Sequence, residues 1–229
     1  METLSNGFTI EIPSGAFPLS TDSMLLHGVV RLPKNARVLD LGSGCGTLGT
    51  LLCAKDSSCH VTGIELDRAA HEAALENIRR NDLQERMVSI CADLRTIPAW
   101  LASGSFDCCV SNPPYFTGGP ASSQTPLARR DDCCSTNDLF AAASKMLKYG
   151  GDFVLVHKPE RLAELCACAA NHSLEPKRLC AVRHKPDGPV SLIMLSCRKG
   201  GKTGLIWEDV CLTDEKGNPS DYYRSIYHF

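Results

Sequence analysis

Two groups of residues in this 229-residue chain have types and spacing that could do chemistry. The first is Val-Leu-Asp-Leu-Gly-Ser-Gly-Cys-Gly, Val38 to Gly46. Gly42, Gly44 and Gly46 let a backbone turn tightly and approach a ligand closely, and Asp40 stands just ahead of them. Glu65, in Gly-Ile-Glu-Leu-Asp, follows about 20 residues on, where an acidic side chain can accept both hydroxyls of a ribose. Asp93 comes next, in Ala-Asp-Leu. The second group is Asn-Pro-Pro-Tyr, Asn112 to Tyr115. Its prolines fix the backbone and give up their N–H donors, so the turn offers acceptors. The Asn112 side-chain oxygen and the Pro113 carbonyl can together grip an –NH2 group. Two acceptors on such an amine favour a pyramidal nitrogen with its lone pair released for attack. Tyr115 supplies a flat face for a planar substrate, as base-modifying enzymes require.

The elements around these groups alternate. R-V-L-D-L from Arg37 reads as a short apolar strand, and T-L-G-T-L-L-C-A-K as a helix with Leu48, Leu51 and Leu52 at helical spacing. H-V-T-G-I-E-L is a strand, and D-R-A-A-H-E-A-A-L-E-N-I-R-R-N a helix with Ala70, Ala73, Ala74 and Ile78 on one face. M-V-S-I-C-A-D-L and S-F-D-C-C-V-S-N are further strands. A loop rich in Gly, Pro and Ser covers Thr117 to Arg130, and Thr136 to Leu147 is helical. Gly150-Gly151 is expected to end that helix. G-D-F-V-L-V-H is the next strand, followed by a helix that opens on Pro159. Such alternation implies a parallel sheet covered by helices on both faces. It places Asp40, Glu65, Asp93 and Asn112 at strand ends in one crevice. L-E-P-K-R-L-C-A-V-R-H and V-S-L-I-M-L-S-C-R-K, joined by K-P-D-G-P, read as a hairpin added antiparallel at a sheet edge. The lead-in contains Pro13, Pro18 and Pro33 and reads as irregular. The expected organisation is an N-terminal extension over 1–36, one domain over 37–202, and an appendage of that domain over 203–229.

Composition narrows the class. Charged residues are 22% and hydrophobic residues 43%, with 26 acidic against 24 basic side chains, which excludes a disordered or fibrous chain. The longest uncharged run, Cys108 to Ala128, carries Asn112, Pro113, Pro114, Gly118, Gly119 and Pro120, so it does not read as a membrane span. The first residues lack a basic segment followed by an apolar core, so no signal peptide is expected and the cytoplasm is. The thirteen cysteines are odd in number and contain no C-x-x-C pair. They read as reduced thiols, several at positions suited to a small buried residue (Cys91, Cys108, Cys109, Cys197), with no metal. From Lys145 to Lys202, eleven Lys/Arg stand against five acids, a net of +6. That suits a phosphate backbone, or lysines guarding an edge strand.

V-L-D-L-G-S-G-C-G, G-I-E-L-D and A-D-L together resemble the S-adenosylmethionine-dependent methyltransferase fold. This implies an α/β protein with a Rossmann-like seven-stranded sheet, mostly parallel with an antiparallel C-terminal edge hairpin. By that resemblance, Asp40, Gly42, Ser43, Gly44 and Gly46 hold the methionine part of S-adenosyl-L-methionine. Glu65 and Leu66 lie at the ribose, Asp93 with the Leu94 amide at the adenine, and Asn112 adjoins the cofactor. Gly44, Gly46 and Gly49 also form G-x-G-x-x-G, which leaves NAD open, although that match starts after Gly42 has made the turn. With a methyl sulfonium as electrophile, Asn112, Pro113, Pro114 and Tyr115 become the catalytic set, and no strong base is needed before attack.

The tetrapeptide N-P-P-Y is shared with protein-glutamine, DNA-adenine and ribosomal guanine-N2 methyltransferases. Outside the core, P-L-S-T-D-S-M-L-L (Pro18 to Leu26), V-H-K-P-E-R-L-A-E-L (Val156 to Leu165), K-G-G-K-T-G-L and I-Y-H-F resemble the tRNA adenine-N6 methyltransferases that modify the adenine beside the anticodon of a valine tRNA. That resemblance implies tRNA as partner, with Phe116, Arg129, Arg130, Lys158 and Arg161 on the substrate side. Methylation of a ribosomal guanine N2 or a protein glutamine N5 stays open beside it, as does a non-enzymatic cofactor-binding RNA-interaction module. Monomer and homodimer are equally compatible with the sequence.

Overall fold

The computed structural model describes residues 2–4, 7–12, 21–114 and 134–227. The elements are β1 (Glu2–Thr3), β2 (Thr9–Ile10), α1 (Thr21–Val29), β3 (Arg37–Leu41), α2 (Thr47–Lys55), β4 (His60–Glu65), α3 (Arg68–Arg80), β5 (Met87–Cys91) and β6 (Phe106–Ser111). They continue with α4 (Thr136–Met146), β7 (Leu147–His157), α5 (Leu162–Asn171), β8 (Leu174–Arg183), β9 (Val190–Lys199), β10 (Ile206–Cys211) and α6 (Asp221–Tyr227).

The main sheet runs β10-β8-β9-β7-β6-β3-β4-β5. β5, β4, β3, β6 and β7 are mutually parallel. β9 is antiparallel to both β7 and β8. The mostly parallel Rossmann-like sheet is therefore present, with one correction. The antiparallel hairpin lies toward the sheet's C-terminal edge as expected, and among the described residues the strands number eight rather than seven, because β10 adds parallel to β8 outside the hairpin. The extra strand is held by charge as well as by its ladder. Glu208 pairs with Arg178 at 2.5 Å and Asp209 with Arg183 at 3.4 Å, both arginines lying on β8. Those pairs belong to a wider pattern. Of the eleven cations between 145 and 202, Lys148, Arg161 and Arg198 are also ion-paired, with Asp107, Glu164 and Asp152. Much of the basic segment thus cements the sheet and its flanks.

The two faces carry separate cores. One joins α1, α2, α3 and α6 through residues such as Leu25, Val38, Leu51, Val61, Ile78 and Ile226. The other joins α4 and α5 through Leu39, Ile64, Phe140, Phe153 and Leu165. Cys108 and Cys109 are neighbours on β6 and go to opposite faces, each fully buried. The twelve cysteines among the described residues are all free thiols. Cys197 is buried too, but Cys91 is exposed, because β5 is the sheet's outer strand. Gly150-Gly151 does not stop α4, which ends at Met146. The pair lies inside β7, where the register against β6 shifts between Phe106 and Cys108. A Cβ on Gly151 would sit 2.9 Å from the Asp107 carbonyl oxygen, so glycine permits the close strand approach. Among the described residues no helix is long and apolar enough to cross a membrane, and no group of three or more His, Cys, Asp or Glu could hold a metal.

The lead-in is not irregular over 21–29. It forms α1, which buries Met24, Leu25, Leu26 and Val29. A helix end leaves carbonyls without partners, and α1 meets this with side chains from elsewhere. Lys55 Nζ donates to the carbonyls of His27 (2.8 Å), Gly28 (3.3 Å) and Val30 (2.9 Å), and Arg178 donates to that of Val29 at 3.1 Å. Gly28 leaves room for α6, since a Cβ there would lie 2.7 Å from Ile226 Cγ2. Lys55→Met keeps the stem and removes the donors. Hydrogen bonds to charged groups are worth about 1.5–3 kcal/mol, and at this chain length ~2–4 °C accompanies each kcal/mol. Calorimetry should therefore find Tm lowered by roughly 3–12 °C; an unchanged Tm would mean that the cap does not hold α1.

Candidate active site

The strand order reverses at β3, which pairs with β4 on one side and β6 on the other. In open α/β sheets such a switch point leaves a crevice beyond the C-terminal strand ends. A cavity of about 210 Å³ occupies it, walled by residues from the ends of β3, β4, β6 and β7, from the segment after β5, and from the starts of α4 and α5.

On one side stand Gly42, Gly44, Glu65, Leu66, Asp93 and Leu94. Gly42 and Gly44 have φ of 74° and 54°, and a Cβ on either would meet open space, so the turn presents bare backbone to the cavity. The Glu65 carboxylate accepts the Gly44 N–H on Oε2 (2.7 Å) and the Asp67 N–H on Oε1 (2.8 Å). It ties the glycine turn to the start of α3, and each oxygen retains a further lone pair. Asp93 accepts the Arg95 N–H at 2.8 Å and is ion-paired with the Arg95 guanidinium, which holds its carboxyl below the usual range.

Three of the cofactor residues expected in the glycine motif, Asp40, Ser43 and Gly46, are not in the wall. The Ser43 side chain is packed against Gly63, where a Cβ would lie 2.6 Å from its Oγ. Gly46 packs against α3 and β5, where a Cβ would lie 2.9 Å from Met87 Cε. Asp40 is 1% exposed, accepts the Gly49 N–H, and its Oδ2 has no partner among the described residues. Burial, reinforced by the nearby Glu65 charge, pushes its pKa up from 3.8 to about 7. The folded chain thus keeps a proton that the unfolded chain releases. The resulting stability is fully present below pH 3.8 and is lost as pH rises through about 7. Asp40→Asn cannot ionise, so its Tm relative to the wild type should climb across that window and level off above it. A Tm difference independent of pH would refute the shift.

On the other side stand Asn112, Pro113 and Pro114, with Thr136, Leu139, Leu155, His157, Arg161 and Leu165. Asn112 follows directly on β6, and its Nδ2 donates to Ser23 Oγ of α1 at 3.0 Å. Ser111 Oγ donates to the Leu41 carbonyl at 2.7 Å, joining the ends of β6 and β3. His157 ends β7, is 5% exposed, and accepts the Lys158 N–H on Nδ1 at 2.8 Å. Burial and the Arg161 charge push its pKa down to about 4, so it is a neutral imidazole with its proton on Nε2. Arg161 reaches the wall while paired with Glu164 at 2.6 Å, and Lys158 is exposed beside it. Tyr115, Phe116, Arg129 and Arg130 lie outside the described residues. Sequence reasoning missed Ser23 and His157 as parts of this site. The advance signals were that both lie in segments that resemble the tRNA adenine-N6 methyltransferases, and that His157 closes a predicted strand, where crevice residues collect.

Comparisons with known proteins identify the fold and the family. The methyltransferase small domain model matches residues 19–165. A predicted O-methyltransferase from Agrobacterium tumefaciens superposes with a TM-score of 0.76 at 20% identity, covering 90% of this chain and 95% of that one. A geranyl diphosphate methyltransferase solved with S-adenosylmethionine superposes with a TM-score of 0.60 at 14% identity, covering 77% and 84%. The fold is that of an S-adenosylmethionine-dependent methyltransferase, and the chain belongs to the methyltransferase small domain family. A tRNA1(Val) (adenine(37)-N6)-methyltransferase from Bacteroides fragilis is 32% identical over 82% of this chain and 80% of its own length. One of the same name from Tolumonas auensis is 30% identical over 93% and 90%. Within the small domain family, the chain belongs with these enzymes.

Proposed function

We propose that this protein transfers the methyl group of S-adenosylmethionine to the N6 amine of an adenine in tRNA, the adenine at position 37 beside the anticodon of a valine tRNA being the best candidate. The observation that carries the reading is the turn Asn112-Pro113-Pro114 at the end of β6, in the same cavity as Glu65 and the bare glycine turn. The relatives' shared name supplies the acceptor.

The residues present fit the cofactor. In this reading the open backbone at Gly42 and Gly44 receives its methionine end and Glu65 its ribose hydroxyls. Ile64, Leu66, Ala92 and Leu94 give apolar walls to a purine, with Asp93 at its polar edge. When bound, the cofactor supplies an electrophilic methyl on sulfur. Asn112 Oδ1 and the Pro113 carbonyl accept the two N–H bonds of the target amine, drawing its lone pair out of the ring toward that methyl. Methylation leaves the nitrogen positively charged and acidic, so its proton passes to water without a strong base. Tyr115 stacks the extruded base. His157, a neutral imidazole, lines the same wall.

Purified protein is incubated with radiolabelled S-adenosylmethionine and, separately, total tRNA, total rRNA and release factor, followed by nucleoside analysis. Label should appear in tRNA as N6-methyladenosine; label only in protein or rRNA would sink the reading. Arg129→Ala with Arg130→Ala should weaken tRNA binding and flatten its salt dependence by about one counterion per lost phosphate contact. An unchanged salt slope would remove these arginines from the RNA surface. As a tRNA-modifying enzyme, the protein would work in the cytoplasm.

A further inference from the structure

Gly42, Gly44 and Gly46 all have positive φ, at 74°, 54° and 80°. A turn built on three left-handed glycines restrains itself poorly, because glycine reaches the other half of φ space at little cost. The hold that keeps its bare backbone toward the cavity must come from outside. Glu65 of β4 supplies one part, accepting the Gly44 N–H at 2.7 Å. The other part comes from α3. Asn77 is 0% exposed, and its Nδ2 donates to the Cys45 carbonyl at 3.0 Å. The same amide grips Glu11, just past β2. Nδ2 donates to the Glu11 carbonyl at 2.9 Å, and Oδ1 accepts the Glu11 N–H at 2.8 Å.

We propose that Asn77 is a positioning residue for the cofactor, fixing the carbonyl between Gly44 and Gly46 and with it the backbone that receives the methionine end. The sense of its amide is unambiguous. A backbone N–H only donates and a carbonyl only accepts, so Oδ1 must face the Glu11 N–H and Nδ2 the two carbonyls. The strand that sets this sense is itself placed by α3. Asn81, one turn on, accepts the Thr9 N–H at 2.7 Å and donates to the Thr9 carbonyl at 2.8 Å. Four residues of helix rise about 6 Å and two residues of strand about 6.6 Å. Asn77 and Asn81 therefore meet residues 11 and 9 in step, as the edge of an antiparallel strand would. Ile10 between them is fully buried in the core that α3 shares. The peptide that Asn77 holds by its carbonyl is held at its other end too, where the Gly46 N–H donates to the Ser43 carbonyl at 2.9 Å. Neither Asn77 nor Cys45 lines the cavity, so the effect on the cofactor passes through Gly44 and Gly42.

This rests on the proposed placement of S-adenosylmethionine on the glycine turn. The test uses the full chain as wild type, Asn77→Ala, Asn77→Asp, Asn81→Ala and Glu65→Ala. It measures the calorimetric Kd for S-adenosylmethionine, kcat on an unmodified valine tRNA transcript at saturating cofactor, and Tm. Aspartate keeps the volume but has at most one donor for two carbonyls, which guards against loss of fold in the alanine variant. Asn77→Ala and Asn77→Asp should raise Kd about fivefold, the effect of one lost neutral hydrogen bond, with kcat close to wild type. Asn81→Ala loosens the same strand without touching the turn, so its Tm should fall while its Kd stays at the wild-type value. A wild-type Kd in Asn77→Asp would overturn the proposal, as would a loss in kcat rather than Kd. A Kd raised equally by Asn81→Ala would also overturn it, tracing the effect to the strand instead of the turn. The two readings fail separately. Wild-type affinity in Glu65→Ala would undo the placement of the cofactor, whereas a weakened Glu65→Ala beside normal Asn77 variants would remove only the role of Asn77.

Discussion

Asn112→Ala should lower the rate of methyl transfer on the order of 100-fold or more while leaving cofactor affinity nearly intact. In the proposed reading, the cavity separates the two jobs. Backbone and carboxylate groups after β3, β4 and β5 face one part, and the turn after β6 faces the other. An acceptor that strengthens as the amine pyramidalises stabilises the transition state more than the bound substrate, so its loss appears in kcat. Removal of one oxyanion-hole donor, the nearest well-measured case, costs about 10²–10³. Single-turnover rates with calorimetric cofactor binding in parallel decide the matter. Near-normal turnover would refute the mechanism even in a working methyltransferase.

Glu65→Ala should weaken S-adenosylmethionine binding by roughly ten- to a hundredfold, since charge-assisted hydrogen bonds are worth about 1.5–3 kcal/mol. The structure adds a second route to the same loss. Glu65 also accepts the Gly44 and Asp67 N–H groups, so alanine frees the glycine turn that it now restrains. Glu65→Gln retains one oxygen acceptor and most of the packing, and should fall between wild type and alanine. Calorimetric dissociation constants for the three proteins test this. Equal values would mean that the cofactor does not bind at Glu65.

Most of the parallel sheet and the location of the site were legible in the sequence. The reason is that V-L-D-L-G-S-G, G-I-E-L-D, A-D-L and S-N-P-P each close a short apolar run in an alternating pattern. Alternation alone brings such ends into one crevice. What was hidden lacked periodicity or depended on register. α1 buries residues on nearly all sides, so T-D-S-M-L-L-H-G-V shows no apolar stripe, and Ser23 could not be aimed at anything. β10 is acidic where a strand reader looks for β-branched residues, and only Arg178 and Arg183 opposite make sense of Glu208 and Asp209. A motif is read as a block, yet the pleat turns Asp40 away from the crevice that Leu41 and Gly42 enter. His157 reads as any histidine until the β6–β7 register, Ser111 beside Leu155, brings it level with the proline turn.

The clamp on α1 also sets an order of assembly. The glycine turn, Glu65 and Asp93 are joined by strands adjacent both in sequence and in the sheet, β3 to β4 to β5. These contacts close short loops and can form while the chain is still emerging from a ribosome. The acceptor side is different. α1 meets Arg178 and then α6, which lies about 190 residues further along the chain. Loop closure over that distance carries a larger entropy loss and cannot occur before residue 227 has been made. A nascent chain can therefore shape the cofactor half of its crevice early. Asn112 gains its fully clamped neighbour only after α6 has been made, so translation itself delays completion of the methyl-acceptor side of the crevice.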